Sequence, residues 1–448
     1  MAIDFELTQE QRMLQKTARD FAQGVLKPLV AKADAEPDPQ AAFAMMKEPY
    51  KQAYKLGLAM GFLPKEYGGL SVSNVDLQVV AEEICAVDPG FACILLVNGL
   101  ALMPLAWYGS EAQKKKWIGA ATSDPTCEFL AGWTVSEAPG TPGGTANFDH
   151  PGAHPVGIGV TADYDKKNGE YVINGRKFWP SNSGGWDLQG AAINTVIVRT
   201  NRSKGGKEGL GAILVPRGTP GVVYEKPISK IGHRLNQNNS IVYTNCRVPE
   251  ENAFAVGDAD LILSKAFTWS GPVAAIAAVA VARTAYEFAL DWAKTYTGGG
   301  GTPVIHHQAV GYLLTDIAMR IEACRAFSWK AAHYLDKFNS EGQAIGAMAK
   351  VYCGETMFDT VFKCMQVVGV GAVDKALPLE KCLREATIFP LYDAGNIGMQ
   401  RRKIWGVMSH ASFDPRALMN CDPIKFTKAM EGAGLEPPPS VFHAKAAE

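Results

Sequence analysis

Apolar residues recur at helical spacing over the first third of the chain, give way to short β-rich runs, and return to helical spacing after Pro249. Met13, Leu14, Ala18, Phe21, Ala22 and Val25 line one face of the opening helix, and Thr8 followed by Gln11 predicts its capping box. The spans 50–62, 74–87 and 89–109 repeat that behaviour. From about Phe129 to Val248 the runs 170-EYVING-175, 195-TVIVRT-200, 211-GAILVP-216 and 241-IVYTNCRV-248 read as strands between Gly-, Asn- and Asp-rich turns. The stretch 139-PGTPGG-144 reads as a loop, and 201-NRSKGGKEG-209 as an exposed hairpin tip. Ala-rich periodicity over 272–294, 308–337 and 343–370 predicts long helices. The pattern divides the chain into a helical domain (1–127), a β domain (128–250), a helical bundle (251–410) and a Pro-rich extension (411–448). This is an α+β arrangement in which a flat ligand can lie between layers.

Composition narrows the function. Of 448 residues, 47% are hydrophobic and 20% charged, with a formal net charge of -1, so nothing favours nucleic acid. The longest apolar run, 272-PVAAIAAVAVA-282, stops at Arg283 and is too short to span a bilayer; a buried helix is expected. No targeting segment is visible in 1-MAIDFELTQEQ-11, and a cytoplasmic location is expected. The nine cysteines form no CxxC pair, which suits reduced core thiols and argues against a zinc site.

Candidate chemistry concentrates in 384-REATIFPLYDAGNIGMQRR-402. Asp393 follows Tyr392 and an apolar run, on a tight link between helical stretches. A carboxylate projecting from a fixed turn into a dry pocket suits a general base. Asp is equally favoured as the cap of a helix beginning near Asn396. Trp133 and Trp179 likewise read either as cofactor contacts or as core aromatics of a β domain.

Five segments, in order, resemble the acyl-CoA dehydrogenase family from about residue 5 to residue 407. They are 131-AGWTVSEAPG-140, 175-GRKFWPSN-182, 245-NCRVPEENAF-254, 306-HHQAVGYLLTDIAMRIEACRAF-327 and 366-QVVGVGAVDKALPLEKCLREATIFPLYDAG-395. The resemblance implies an N-terminal helical domain, a β-barrel-like middle domain and a C-terminal four-helix bundle. It implies FAD as cofactor, an acyl-CoA thioester as substrate, an electron-transferring flavoprotein or similar acceptor, and a homotetramer. Matching positions place Val135 and Ser136 toward the pyrimidine side of the flavin, and Trp179 and Ser181 near its reactive nitrogen, with Trp133 a further candidate cofactor contact. Gln308, Gln366, Gly369 and Gly371 match the family's contacts to the rest of the dinucleotide. The chain departs from the family at Val370 and Ala372. It departs again over 294-KTYTGGGGTPVIHHQ-308, where the usual arginine and phenylalanine are missing. The four glycines Gly298–Gly301 read either as phosphate-binding backbone or as a loop tip.

The family's base is a glutamate that takes the proton next to the thioester carbonyl. Counting forward from Arg384 puts Asp393 there, while counting back from Gln400–Arg401 puts Ala394 there, so the link carries a one-residue insertion. Asp is shorter than Glu by about 1.5 Å, and the insertion is expected to push the turn inward. Ser270, at an alternative base position of the family, offers no carboxylate. An aspartate base resembles members acting on alicyclic acyl-CoA thioesters. Tyr392 flanks the base, and Leu95 and Leu96 in 91-FACILLVNGLALMP-104 form the floor expected under a hydrocarbon acyl group. The expected reaction is α,β-dehydrogenation, with proton to Asp393 and hydride to the flavin. The alternative is a desulfinase, lyase or flavin oxygenase of the same fold, and after that a scaffold without catalysis.

Overall fold

The computed structural model describes residues 5–138, 157–204, 206–339, 343–411 and 413–423. The loop expected at 139–144 and most of the 411–448 extension lie outside them. The N-terminal domain comprises α1 (Gln9–Phe21), α2 (Lys27–Ala35), α3 (Pro39–Ala44), α4 (Lys47–Lys55), α5 (Asn74–Cys85), α6 (Pro89–Tyr108) and α7 (Glu111–Thr122). Capping boxes start three of them: Thr8 with Gln11, Ser73 with Asp76, and Ser110 with Gln113. Each box satisfies amide groups that helix geometry leaves without partners. The apolar helix α6 starts instead from Asp88, whose carboxylate accepts from Phe91 N–H.

The middle domain is a mixed sheet of β1 (Ala131–Thr134), β2 (Thr161–Asp165), β3 (Glu170–Ser181), β4 (Ile193–Arg199), β5 (Leu210–Pro216), β6 (Val222–Tyr224), β7 (Asn238–Pro249) and β8 (Ala253–Phe254). Its order is β6-β7-β3-β2-β4-β5-β8, with β1 parallel on β4. The predicted hairpin tip joins antiparallel β4 and β5 and carries the single turn α8 (Gly206–Gly209). One face of the sheet has its own small core, including Val160, Ile173, Val196, Ile213, Ile241 and Val248. The β3–β7 register breaks between Phe178 and Ser181, at Trp179, whose φ is +76. A bulge of this kind re-aims a side chain, and here it turns Trp179 out to 38% exposure.

The C-terminal domain packs α9 (Ala259–Thr295), α10 (Gln308–Phe338) and α11 (Gln343–Val368) together, with α12 (Pro378–Ala386) and α13 (Arg401–Met408) against α9 and α11, and α14 (Pro415–Asn420) beyond. A Cβ at Gly271 would meet Gly346 O at 2.7 Å, so α9 and α11 cross backbone to backbone there. One core runs from α1 through α6 and α9 to Phe389.

The bilayer expectation needs correcting. The spans Pro89–Tyr108, Leu261–Thr295 and Ala344–Val373 are each long and apolar enough to cross a membrane by length and composition. The estimate from 272–282 stopped at Arg283, whereas the helix runs through it and Arg283 pairs with Glu82. In the fold, 67%, 67% and 39% of their most apolar windows are buried within the protein.

Candidate active site

Asp393, Ala394 and Gly395 form a turn with successive φ values of 49, 69 and 61. Two adjacent non-glycine residues in the left-handed region are costly, at about 1–3 kcal/mol each, so neighbours must hold the turn. Gln400 Nε2 donates to Asp393 O at 2.9 Å, and Lys350 Nζ donates to Tyr392 O at 2.7 Å and to Asn396 Oδ1 at 2.6 Å. Directly beyond lies a π-helix, Gly395–Gln400, in which Met399 N–H reaches Ala394 O and Arg401 N–H reaches Asn396 O. A π-turn holds one residue more than an α-turn. The π-turn lies in the stretch after Asp393, where the forward and backward counts differ by one residue.

Asp393 does not cap this helix: Ala394 occupies the cap position, with no side-chain cap bond. The carboxylate accepts instead from Ser270 Oγ, 2.8 Å from one oxygen and 2.9 Å from the other. Ser270 thus enters the site as a donor to the acid. Burial pushes the Asp393 carboxyl above the ordinary carboxylate range, and Lys350, the Ser270 hydroxyl and Lys403 pull it back. Both lysines are almost wholly buried. Lys403 Nζ donates to Ser264 O at 2.8 Å and to Thr268 Oγ1. Burial drags Lys350 down to about 8 and Lys403 to about 7, with Asp393 opposing both shifts. Among the described residues neither ammonium has a carboxylate within ion-pair distance.

Tyr392 packs edge-on against His233, centroids 5.4 Å apart, and against Phe389. His233 is buried, and burial with Lys230 nearby pushes it down to about 3, so it is neutral. Its Nδ1 lies 3.8 Å from Cys93 Sγ on α6. Leu96, three residues after Cys93, shares that helix face, whereas Leu95 is 2% exposed and packs in the core.

The connection between β6 and β7 links this pocket to a second surface. Besides His233 it carries Lys230, whose Nζ donates to Asn236 O. Asn236 and Asn238, the latter at the start of β7, donate to Ser181 Oγ at 3.1 and 3.0 Å. Asn182 Nδ2 reaches Ile94 O on α6. Phe178 N–H donates to Ser136 O, which sets the half-buried edge Val135–Ser136 beside the Trp179 bulge. Trp133 is buried, and its indole N–H has no acceptor among the described residues. An exposed indole face, two serine hydroxyls and an orphaned N–H at a strand edge fit a flat ring with a polar rim. Val135 and Ser136 therefore lie beside Trp179 and Ser181 of β3, Trp133 is buried in the main core, and Ser181 connects through Asn236 to the 230–238 segment that carries His233.

Gln308, Gln366, Gly369 and Gly371 are not brought there. All four are exposed, and Gln308 bonds Tyr312 OH. Gln366 stands sixteen residues beyond Lys350 on α11, about 24 Å along the axis. The fold assembles residues that sequence reasoning passed over: Lys350, Lys403, Gln400, His233 and Cys93. The one available signal was Lys350, a lone cation in the apolar run 344-AIGAMAKVYC-353.

Family models for the acyl-CoA dehydrogenase N-terminal, middle and C-terminal domains match residues 8–124, 148–246 and 261–408. A nitroalkane oxidase from Fusarium oxysporum is 30% identical over 93% of this chain and 97% of its own length. The mitochondrial short-chain specific acyl-CoA dehydrogenase of Mus musculus is 28% identical over 90% of each. Solved nitroalkane oxidase structures superpose with a TM-score of 0.85 at 29% identity, covering 94% of this chain and 100% of theirs. They include an aspartate-to-asparagine active-site mutant crystallised with 1-nitrooctane and a serine-to-alanine active-site mutant crystallised with 1-nitrohexane. Another concerns the roles of an arginine and an aspartate in the reaction of that flavoprotein. The family's cofactor is FAD, and the three domain models, which together match most of the chain, make it a member of the acyl-CoA dehydrogenase family.

Proposed function

We propose that the chain oxidises a small nitroalkane with an apolar tail, Asp393 removing the proton from the carbon that bears the nitro group. The observation that carries this reading is the bond from Ser270 to both oxygens of Asp393. An aspartate and a serine are also the residue types changed in the active-site mutants crystallised with nitroalkanes. Trp133, Val135, Ser136, Trp179 and Ser181 would hold FAD, which would supply the electron acceptor. The chain's own residues supply the rest. Ser270 and the Lys350–Gln400 clamp orient the carboxylate, and its raised pKa makes it a stronger base than a solvated aspartate. The Asp393 main-chain N–H has no acceptor among the described residues and is available to a nitro oxygen. Tyr392, His233 and Leu96 keep water from the reacting carbon.

The arginine and aspartate studied in nitroalkane oxidase are seven positions apart. Seven positions beyond Asp393 stands Gln400, which is neutral, and Arg401 is turned away to pair with Glu355 at 2.6 Å. Positive charge reaches Asp393 from Lys350 and Lys403 instead.

The second reading is α,β-dehydrogenation of an acyl-CoA thioester, favoured by the five family segments and the short-chain dehydrogenase relative. There the same N–H would meet the thioester carbonyl, and electrons would leave to an electron-transferring flavoprotein. Exposed Phe358, Phe362, Val370 (89% exposed) and Val373 along α11 and just past its end support a homotetramer in either case. Anaerobic mixing with 1-nitrohexane, butyryl-CoA and cyclohexanecarboxyl-CoA separates the readings. Bleaching of the flavin by 1-nitrohexane alone is expected; bleaching by a thioester alone replaces the first reading with the second.

A further inference from the structure

We propose that Lys350 is a positioning residue for the base: its ammonium both staples the Asp393 turn and supplies the countercharge that governs when the carboxylate is free to take a proton. The inference rests on Asp393 being the base. Lys350 bonds the carbonyl before Asp393 and the Asn396 side chain three residues after it, so a single cation spans the whole left-handed turn. Both of its acceptors are neutral. A buried ammonium without a carboxylate partner is expensive, and the acid whose charge acts on it most strongly, ahead of Glu355, is the one whose turn it holds. Tyr392 adds its ring, 5.6 Å from Nζ.

Other ionisable groups act on the pair from every side. Lys403 and Arg401 approach from α13, Glu355 from α11 itself and Cys93 from α6, with Tyr392 in the turn and the Ser270 hydroxyl on α9. Glu355 is held by Arg401 and Asn396, and Cys93 and Tyr392 are held protonated by burial. Lys403 bonds two groups on α9 and does not touch the turn. Among the described residues Lys350 alone both contacts the turn and carries unmatched charge.

The test titrates Asp393 by 13C NMR in aspartate-labelled, flavin-bound protein, with Asp393→Asn identifying the signal. Lys350→Gln keeps a donor and removes the charge; Asp393 should then titrate higher by about one pH unit or more, and Lys350→Arg should restore it. An unmoved signal in folded Lys350→Gln overturns the proposal. Should that variant not fold, the reciprocal experiment decides. In Asp393→Asn the Lys350 ammonium, labelled at Cε, must titrate lower, and no change overturns the proposal. With 1-nitrohexane, Lys350→Gln should bleach about tenfold more slowly on the acid side of the profile and recover at higher pH. A wild-type chain inert to 1-nitrohexane would sink the assigned substrate while leaving both titrations to be read.

Discussion

Two of the buried charge clusters among the described residues are built on opposite principles. Glu82 and Glu83 of α5 are buried and met by Arg19, Arg283 and Arg325, with contacts of 2.9 Å from each arginine. The Glu83 carboxyl is held low despite its burial, by the hydrogen bond from Arg19 and by the charge of Arg283 and Arg19. Each buried acid there has its cation, and the cluster ties α1, α5, α9 and α10 together. Among the described residues Asp393, Lys350 and Lys403 complete no ion pair, and all three are displaced from their ordinary ranges. Matched charges fasten helices, whereas mismatched ones leave a carboxylate responsive to a ligand.

The comparison is most strongly tested at its two acids. Asp393→Asn should keep bound flavin yet slow its reduction by about 10²–10⁴-fold, read as anaerobic bleaching; normal bleaching would move the base elsewhere. Glu82→Gln should do the reverse. It weakens the charged bonds of the half-buried Arg283 and Arg325 and should cost about 1.5–3 kcal/mol of stability, measured by denaturant unfolding, with the pH profile of bleaching unchanged. Ser270→Ala removes a bond that favours ionised Asp393. Asp393 should then ionise at higher pH, so the acid limb of the rate profile moves up and bleaching slows by about tenfold for each pH unit moved. Ala394→Gly relaxes a left-handed residue and should raise stability by less than about 1 kcal/mol, read as a small increase in Tm.

The sequence made the scaffold readable and the electrostatics only in outline. Helices α5, α6, α10 and α11 were legible because their periodicity is long and uninterrupted, and Thr8 with Gln11 marked the first helix start within a residue. Asp393 was legible because it follows Arg384 and Tyr392 at a fixed count. Its partner Ser270 was not, since 123 positions separate them and a serine inside an apolar helix looks like packing. Lys403 follows two arginines and reads as part of a solvated basic tract, although its ammonium is buried. Trp179 read either as a cofactor contact or as a core aromatic, because the bulge that turns it outward depends on a partner strand some sixty residues later.

The wide turn after Asp393 works like a spacer ring on a threaded shaft. Deleting one residue between 395 and 400 would rewind it to ordinary pitch and rotate everything downstream by about 100° relative to Asp393. Arg401 would leave its place beside Glu355, and Lys403 would swing off α9. A change of a single residue in length, without any change of chemistry, would thus re-index which cations the acid sees.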